Sequence, residues 1–110
     1  MSEWVSVVQA ADLKPGDLLD VEVWGEPVVL AKTEDGEFLA TSDVCSHEYV
    51  LLHDGWLEGD EVECPQHGSK FNMRTGEVAN LPATAPIATY EVKVEDDTVF
   101  LRAPKEITRD

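Results

Sequence analysis

The sequence predicts an all-β domain, an antiparallel β sandwich of about ten short strands. Short segments rich in β-branched and aromatic residues recur along the 110 residues, and turn-forming residues separate them at intervals of about eight to twelve residues. No segment keeps the apolar period of an amphipathic helix. Short, evenly spaced strands of this kind are typical of sandwiches and barrels.

The first part of the chain holds four predicted strands with a turn signal after each. Pro15-Gly16 follows the first strand, residues 25–27 turn the chain after the second, and Glu34-Asp35-Gly36 is a strong hairpin signal between the third and the fourth. The predicted strands are 3–8, 18–24, 28–33 and 37–41.

Three further pairs of strands are predicted downstream, at 56–64 around Gly59-Asp60, at 69–78 around Thr75-Gly76, and at 87–103 around residues 95–97. Between the last two pairs, residues 80–88 contain Pro82 and Pro86. Since proline donates no hydrogen bond to a sheet, we expect an ordered surface loop there. The length of the chain fits one domain, 1–110, with its own core.

The charge of the chain limits its partners. The formal net charge is −15, which excludes a nucleic-acid partner because phosphates would be repelled. No apolar run reaches the roughly 18–20 residues of a membrane span. The amino terminus lacks a basic region followed by an apolar block, so we expect no secretory signal and a cytoplasmic location.

The negative charge is also concentrated in one part of the chain. Residues 33–69 contain no lysine or arginine, although Lys32 and Lys70 flank this stretch. We therefore expect a strong local negative field. The acidic residues in the stretch are Glu34, Asp35, Glu37, Asp43, Glu48, Asp54, Glu58, Asp60, Glu61 and Glu63.

Both cysteines and two of the three histidines form two matched clusters. Cys45 and His47 are separated by one residue, 16 residues follow, and Cys64 and His67 are then separated by two residues. Two tight loops that a hairpin brings side by side would offer four ligands to one metal centre. In a cytosolic chain this pattern favours metal binding over a disulfide.

Three interpretations of the four residues compete. The first is a structural zinc site, although in a zinc finger the second pair of ligands is two histidines. The second is a pair of buried thiols with two unrelated histidines. The third interpretation is a [2Fe–2S] cluster with two cysteines on one iron and two histidines on the other.

The two clusters, with the Cys64-Pro65-Gln66-His67-Gly68-Ser69 run, resemble the signature of Rieske proteins. Residues 70–78 and 81–101 resemble the segments that follow the second ligand loop, so the resemblance covers essentially the whole chain. It implies a Rieske-like fold with a small cluster-binding subdomain at about 43–80. It also implies one [2Fe–2S] cluster, with Cys45 and Cys64 on the inner iron and His47 and His67 on the outer iron.

The ligand types explain the chemistry that this resemblance implies. Four thiolates would leave the oxidised cluster with a net charge of about −2, and two neutral imidazoles bring it to about 0, which raises the reduction potential. Within the family the chain looks most like the ferredoxins of bacterial aromatic-ring-hydroxylating dioxygenases. These are cytoplasmic one-electron carriers rather than enzymes.

The resemblance also implies the partners of the chain. A monomeric carrier would accept electrons from a flavin-dependent reductase and deliver them to a terminal Rieske oxygenase, without nucleic acid or membrane. The alternative is a Rieske-type small subunit of a larger reductase such as a nitrite reductase. An oxygenase in its own right is excluded because His53 alone would remain for a mononuclear iron.

Differences from the respiratory branch of Rieske proteins, whose reduction potentials are high, predict a low reduction potential for this chain. Val50 and Gln66 stand where that branch has an extra disulfide, and Phe71 stands where it has a tyrosine hydroxyl on a ligand sulfur. Each missing hydrogen-bond donor lowers the potential. Ser69 opposes this trend, since that branch uses a serine there to bond a bridging sulfide, although a simple turn hydroxyl is an equal alternative.

Three further predictions concern residues around the ligands. We expect His53 to be a plain exposed loop residue that matches none of the family's ligands, with contact to a partner protein as the less favoured alternative. We expect Trp56 to pack under the hairpin that spaces the ligand loops, with an exposed contact residue as the less favoured alternative. Leu81, Pro82 and Ala83 are expected to cover one side of the cluster and exclude water.

Overall fold

The computed structural model describes residues 4–45, 50–65, 68–79 and 87–102. The helical elements of these ranges are two single 3₁₀ turns, Ala10–Asp12 and Leu52–Asp54. Neither turn is long or apolar enough to cross a membrane, and the same ranges contain no longer helix. The strands described are β1 (Val5–Gln9), β2 (Leu18–Val23), β3 (Glu26–Lys32), β4 (Phe38–Ser42), β5 (Trp56–Glu58), β6 (Glu61–Glu63), β7 (Lys70–Asn72), β8 (Thr89–Glu95) and β9 (Thr98–Arg102).

The strands form two antiparallel sheets. The larger sheet has six strands in the order β1-β9-β8-β4-β3-β2, and the smaller sheet has the order β5-β6-β7. Although β1 and β2 are the edges of the larger sheet, their Cα atoms come within 8 Å of each other. The larger sheet therefore curls on itself and encloses apolar side chains, while the smaller sheet packs against its outside.

Strand β3 separates two apolar cores, because its successive side chains point to opposite faces of the sheet. Val28 and Leu30 lie in the sheet core, which the larger sheet encloses. Val29 and Ala31 lie in the cysteine core, which the smaller sheet covers. The sheet core comprises Leu13, Val23, Val28, Leu30, Ala40, Val99 and Leu101, and the cysteine core comprises Val29, Ala31, Cys45, Leu52, Val62, Cys64, Phe71, Met73 and Ile87.

Arg74 ties the turns of the two sheets together. Its Nε donates to Asp60 Oδ2 at 2.7 Å, in the turn between β5 and β6. Its terminal nitrogens donate to the carboxylate of Glu37, which immediately precedes β4. Within the smaller sheet, the backbone N–H of Met73 donates to the carbonyl of Asp60 at 2.8 Å. The smaller sheet is thus held to the larger one by the ion pair of Arg74 with Glu37 as well as by the cysteine core.

The predicted fold class is confirmed, with two differences in detail. Nine strands are described, because the return of the chain after Gly76 forms only an isolated bridge between Phe71 and Val78. Strand β3 begins at Glu26, two residues earlier than predicted. The turn is tighter than expected, since Trp24 and Gly25 both have positive φ, 53° and 77°, as in the two-residue hairpin turns that suit twisted strands.

Gly76 allows two segments to approach at close range. Its φ is +80°, and an added Cβ would lie 2.1 Å from the carbonyl oxygen of Ile87. The backbone N–H of Ile87 donates to the carbonyl of Gly76 at 2.8 Å. This contact brings the chain back to the cysteine core at Ile87.

We expect Gly76→Ala to lower the free energy of unfolding by at least about 3 kcal/mol, since it adds a steric collision to backbone strain. Gly36→Ala is the matched control: its φ is +91°, but nothing lies within 4 Å of an added Cβ, so only about 1 kcal/mol should be lost. Calorimetric Tm values of the two variants compare the losses. Equal losses would contradict the steric role of Ile87.

Candidate metal centre

The first predicted ligand loop is closed at its base by an extension of β4. Beyond Ser42 the chain pairs with itself through an isolated bridge between Val44 and Leu51. The backbone N–H of Cys45 donates to the carbonyl of Val50 at 2.9 Å. Cys45 therefore sits at a paired position at the base of the loop, where the backbone fixes the direction of its side chain.

The second predicted ligand loop is the turn between β6 and β7. Cys64 follows the last residue of β6, and its N–H donates to the carbonyl of Ser69 at 2.7 Å. Gly68 donates back to the carbonyl of Cys64 at 3.2 Å, with φ +78°. A left-handed residue at this point lets the turn close tightly. Pro65 follows Cys64 directly and restricts the backbone there.

The two thiols share one apolar environment. Cys45 and Cys64 are each only 2% exposed, and both belong to the cysteine core. Phe71 and Leu52 fill the same core and are fully buried. Two cysteines buried in one core at the bases of two loops are compatible with a pair of cysteine ligands on a single iron. The described half of the predicted ligand set therefore fits a [2Fe–2S] cluster of mixed ligands.

The other half of the predicted set lies outside the described residues. This applies to His47 and His67, to Gln66, and to the predicted cover of Leu81, Pro82 and Ala83. Their assignments remain predictions.

The structure describes three of the residues on which the predicted reduction potential depends. Val50 packs against the cysteine core, and Phe71 lies at its centre. An apolar ring at position 71 offers no hydroxyl to a ligand sulfur. Ser69 is buried, with 1% exposure, so its hydroxyl belongs to the interior of the second loop rather than to a solvated turn.

The prediction for His53 is wrong. His53 lies in the 3₁₀ turn Leu52–Asp54 with its side chain 24% exposed. Its ring Nδ1 lies 2.5 Å from Oδ2 of Asp43, and its backbone N–H donates to Oδ1 of the same carboxylate at 2.7 Å. Asp43 is buried and also accepts the N–H of Leu52 at its backbone carbonyl. His53 thus closes the base of the first ligand loop and satisfies a buried carboxylate.

Asp43 is the residue near the site that the sequence did not reveal. It lies two residues before Cys45 and ten before His53. Pairing across a loop depends on the register in which the loop closes, and no local pattern indicates that register. A carboxylate just beyond the end of a strand and two residues before a predicted ligand was the only available signal.

The surroundings of His53 determine how it titrates. Burial of the ring lowers its pKa, but the hydrogen bond to Asp43 and the negative charges of Asp43, Asp20 and Asp54 outweigh burial, so the pKa of His53 is raised. Nε2 lies 3.5 Å from Asp54 Oδ1. The ring also lines a cleft of ≈ 470 Å³ together with Asp20 and Glu22, which gives protons access to it.

The favoured prediction for Trp56, burial under the hairpin, is also wrong, and its side chain is exposed as in the alternative. Trp56 is 52% exposed, and its indole N–H donates to Glu63 Oε1 at 3.0 Å. It opens β5 on the outer side of the smaller sheet. Leu57 is the residue of that strand that packs against the cysteine core.

We expect the charged form of His53 to stabilise the fold at low pH. Because its pKa is raised on folding, this contribution is complete below the unfolded pKa of about 6.5 and is lost as the pH rises through the folded pKa. His53→Gln should lower the calorimetric Tm of the oxidised protein by about 5–10 °C near pH 6. The difference from wild type should shrink toward pH 8.5. A difference that does not change with pH would contradict this assignment.

Comparison with known proteins places the chain in a family. Residues 3–91 match the model of the Rieske [2Fe-2S] domain. The ferredoxin component of biphenyl 2,3-dioxygenase from Rhodococcus jostii (strain RHA1) is 43% identical over 95 residues, which are 86% of this chain and 88% of that protein.

Solved structures agree with this match. A chain from the complex of reduced oxygenase and oxidized ferredoxin in carbazole 1,9a-dioxygenase has a TM-score of 0.83 and 38% identity, and the match covers 88% of this chain and 99% of that one. The small subunit of a putative nitrite reductase from Mycobacterium tuberculosis has a TM-score of 0.86 over 94% of this chain and 97% of that one, but at 18% identity it shows the fold alone. The chain belongs to the Rieske [2Fe-2S] domain family, and its cofactor is a Rieske-type [2Fe–2S] cluster.

Proposed function

We propose that this protein is a one-electron carrier that takes electrons from a flavin-dependent NAD(P)H reductase and delivers them to the terminal oxygenase of an aromatic-ring-hydroxylating dioxygenase. The observation that carries the proposal is the pair of buried thiols, Cys45 and Cys64, at the bases of two loops in one core. The similarity to the ferredoxin component of biphenyl 2,3-dioxygenase extends over most of both chains. It supports a dioxygenase as the enzyme system that this carrier serves.

The ligands are Cys45 and Cys64 on one iron and His47 and His67 on the other, within a cluster-binding subdomain of residues 43–80. When bound, the cluster accepts and returns one electron without breaking a bond in another molecule. The protein holds the two cysteines in fixed directions through the backbone bonds of Cys45 to Val50 and of Cys64 to Ser69. Apolar neighbours such as Phe71 exclude water from the thiol side.

The protein works as a carrier and not as an enzyme. A mononuclear iron site of the oxygenase kind needs two histidines and a carboxylate. His53 is the one histidine that the proposed ligand set leaves over, and its ring is already bonded to Asp43. The substrate-oxidising step then belongs to the oxygenase, and this chain supplies electrons to it.

The charge of the chain supports transient docking. A net charge of −15 on 110 residues repels a second copy and favours a monomer that meets basic partner surfaces. Long-range attraction of this kind speeds encounter without a large permanent interface. Gel filtration of the isolated protein tests the monomer. A stable higher assembly of the chain alone would support a subunit of a larger reductase instead.

The ligand set is tested by electron paramagnetic resonance of the reduced protein. We expect a Rieske spectrum, with a lower average g than that of an all-cysteine cluster. Cys64→Ser and His67→Ala should each remove that spectrum and lower the bound iron by more than about tenfold. His53→Gln is the matched control and should keep the spectrum. Loss of the spectrum in a control that calorimetry shows to be folded would contradict the proposed ligand set.

Docking by charge predicts a strong salt dependence. We expect the second-order rate of electron transfer from the reduced protein to its oxygenase to fall at least about tenfold between low and ~0.5 M salt, since steering by exposed charges is screened. Stopped-flow mixing at a series of salt concentrations measures this rate. A rate that salt leaves unchanged would exclude electrostatic steering.

A further inference from the structure

The outer face of the smaller sheet has an unusual composition. In the register of the sheet, Trp56 lies opposite Glu63, Glu58 opposite Glu61, and Glu63 opposite Lys70. Residues directly opposite each other project to the same side of a sheet. Because Leu57, Val62 and Phe71 project inward to the cysteine core, these partners project outward. The outer face consists of Trp56, Glu58, Glu61, Glu63, Lys70 and Asn72.

We propose that this outer face is the docking surface for a lysine- or arginine-bearing surface of the terminal oxygenase, with Trp56 as its anchoring contact. The inference rests on the proposed carrier function and names the place and the chemistry of the contact.

The side chain of Trp56 is exposed and already oriented for contact with a partner. Half of its surface is exposed, yet its indole N–H is fixed to Glu63 Oε1 at 3.0 Å. The hydrogen bond orients the ring, so a partner does not have to order a mobile side chain. Large aromatic side chains at the centre of an interface contribute a disproportionate share of binding energy.

The charges around Trp56 indicate which chemical groups of a partner would bind to the outer face. Glu58, Glu61 and Glu63 share the face with one ammonium, and Lys70 Nζ already donates to Glu58 at 3.0 Å. The face is therefore negative and repels a second copy of this acidic chain. A guanidinium or ammonium group would both stack on the indole and meet the carboxylates.

The chain itself contains the same kind of contact elsewhere. At Trp4, Lys93 Nζ lies 4.6 Å and Arg102 Cζ 4.3 Å from the ring centroid. Tryptophan thus attracts cationic groups in this structure, and on the outer face a partner would supply them.

The position of the face suits electron transfer. Glu63, the partner of Trp56, is followed directly by Cys64. The turn from β6 to β7 is the second ligand loop. An oxygenase seated on the outer face would therefore lie beside that loop, and a short path between redox centres requires such a position.

Trp24 provides a matched control, since it is 49% exposed but lies in the turn between β2 and β3. Holo-protein of each variant is reduced with dithionite and mixed with oxidised oxygenase in a stopped-flow instrument. We expect Trp56→Ala to lower the second-order rate at least about tenfold and Trp24→Ala to lower it less than about twofold. Trp56→Phe, which keeps an aromatic face, should recover part of the rate. The electron paramagnetic resonance spectrum of each variant shows whether the cluster is intact.

A second pair of variants tests the charges without removing the aromatic ring. Glu61→Lys should slow transfer and flatten its salt dependence, whereas Glu95→Lys, on the exposed end of β8, should have little effect. The proposal is overturned if both Trp56→Ala and Glu61→Lys match wild type. It is also overturned if they impair reduction by the reductase alone. A wild-type protein that transfers no electron to any oxygenase would instead refute the carrier function.

Discussion

The burial of β3 on both faces is the constraint on which the rest of the structure depends. One strand supplies side chains to the sheet core and, at alternate positions, to the cysteine core. Such a strand must be apolar at every central position, as the run of Val28, Val29, Leu30 and Ala31 is. With β2 on one side and β4 on the other, β3 is the strand that both cores share.

The proposed cluster site is rigid because the cysteine core packs against β3. The cysteine core is closed by β3 on one side and by Val62 and Phe71 of the smaller sheet on the other, with both thiols between them. Asp43 ties the first loop to this framework, since its N–H donates to Pro27 in β3 and its carboxylate accepts from His53. Electron transfer benefits from ligands that move little when the charge changes, and packing against two sheets provides this.

The sequence was informative wherever a local pattern carried the information. Turn residues and β-branched runs predicted the strands, and the spacing of Cys45 and Cys64 predicted loops that do end in one core. His53 could not be predicted, because its partner Asp43 lies across a loop. The error on Trp56 was avoidable. The alternation through Leu57 and Val62 places Trp56 on the outer face, and the expectation of burial relied on residue type instead of period.

The near-complete burial of both cysteines has a consequence for how firmly a cluster is kept. Cys45 and Cys64 are each 2% exposed and pack in the same core as Leu52 and Phe71. Because ligands gathered in a core are not in place in the unfolded chain, the free energy of cluster binding adds to the free energy of folding. Any change that loosens the cysteine core therefore weakens retention of the cluster together with the fold.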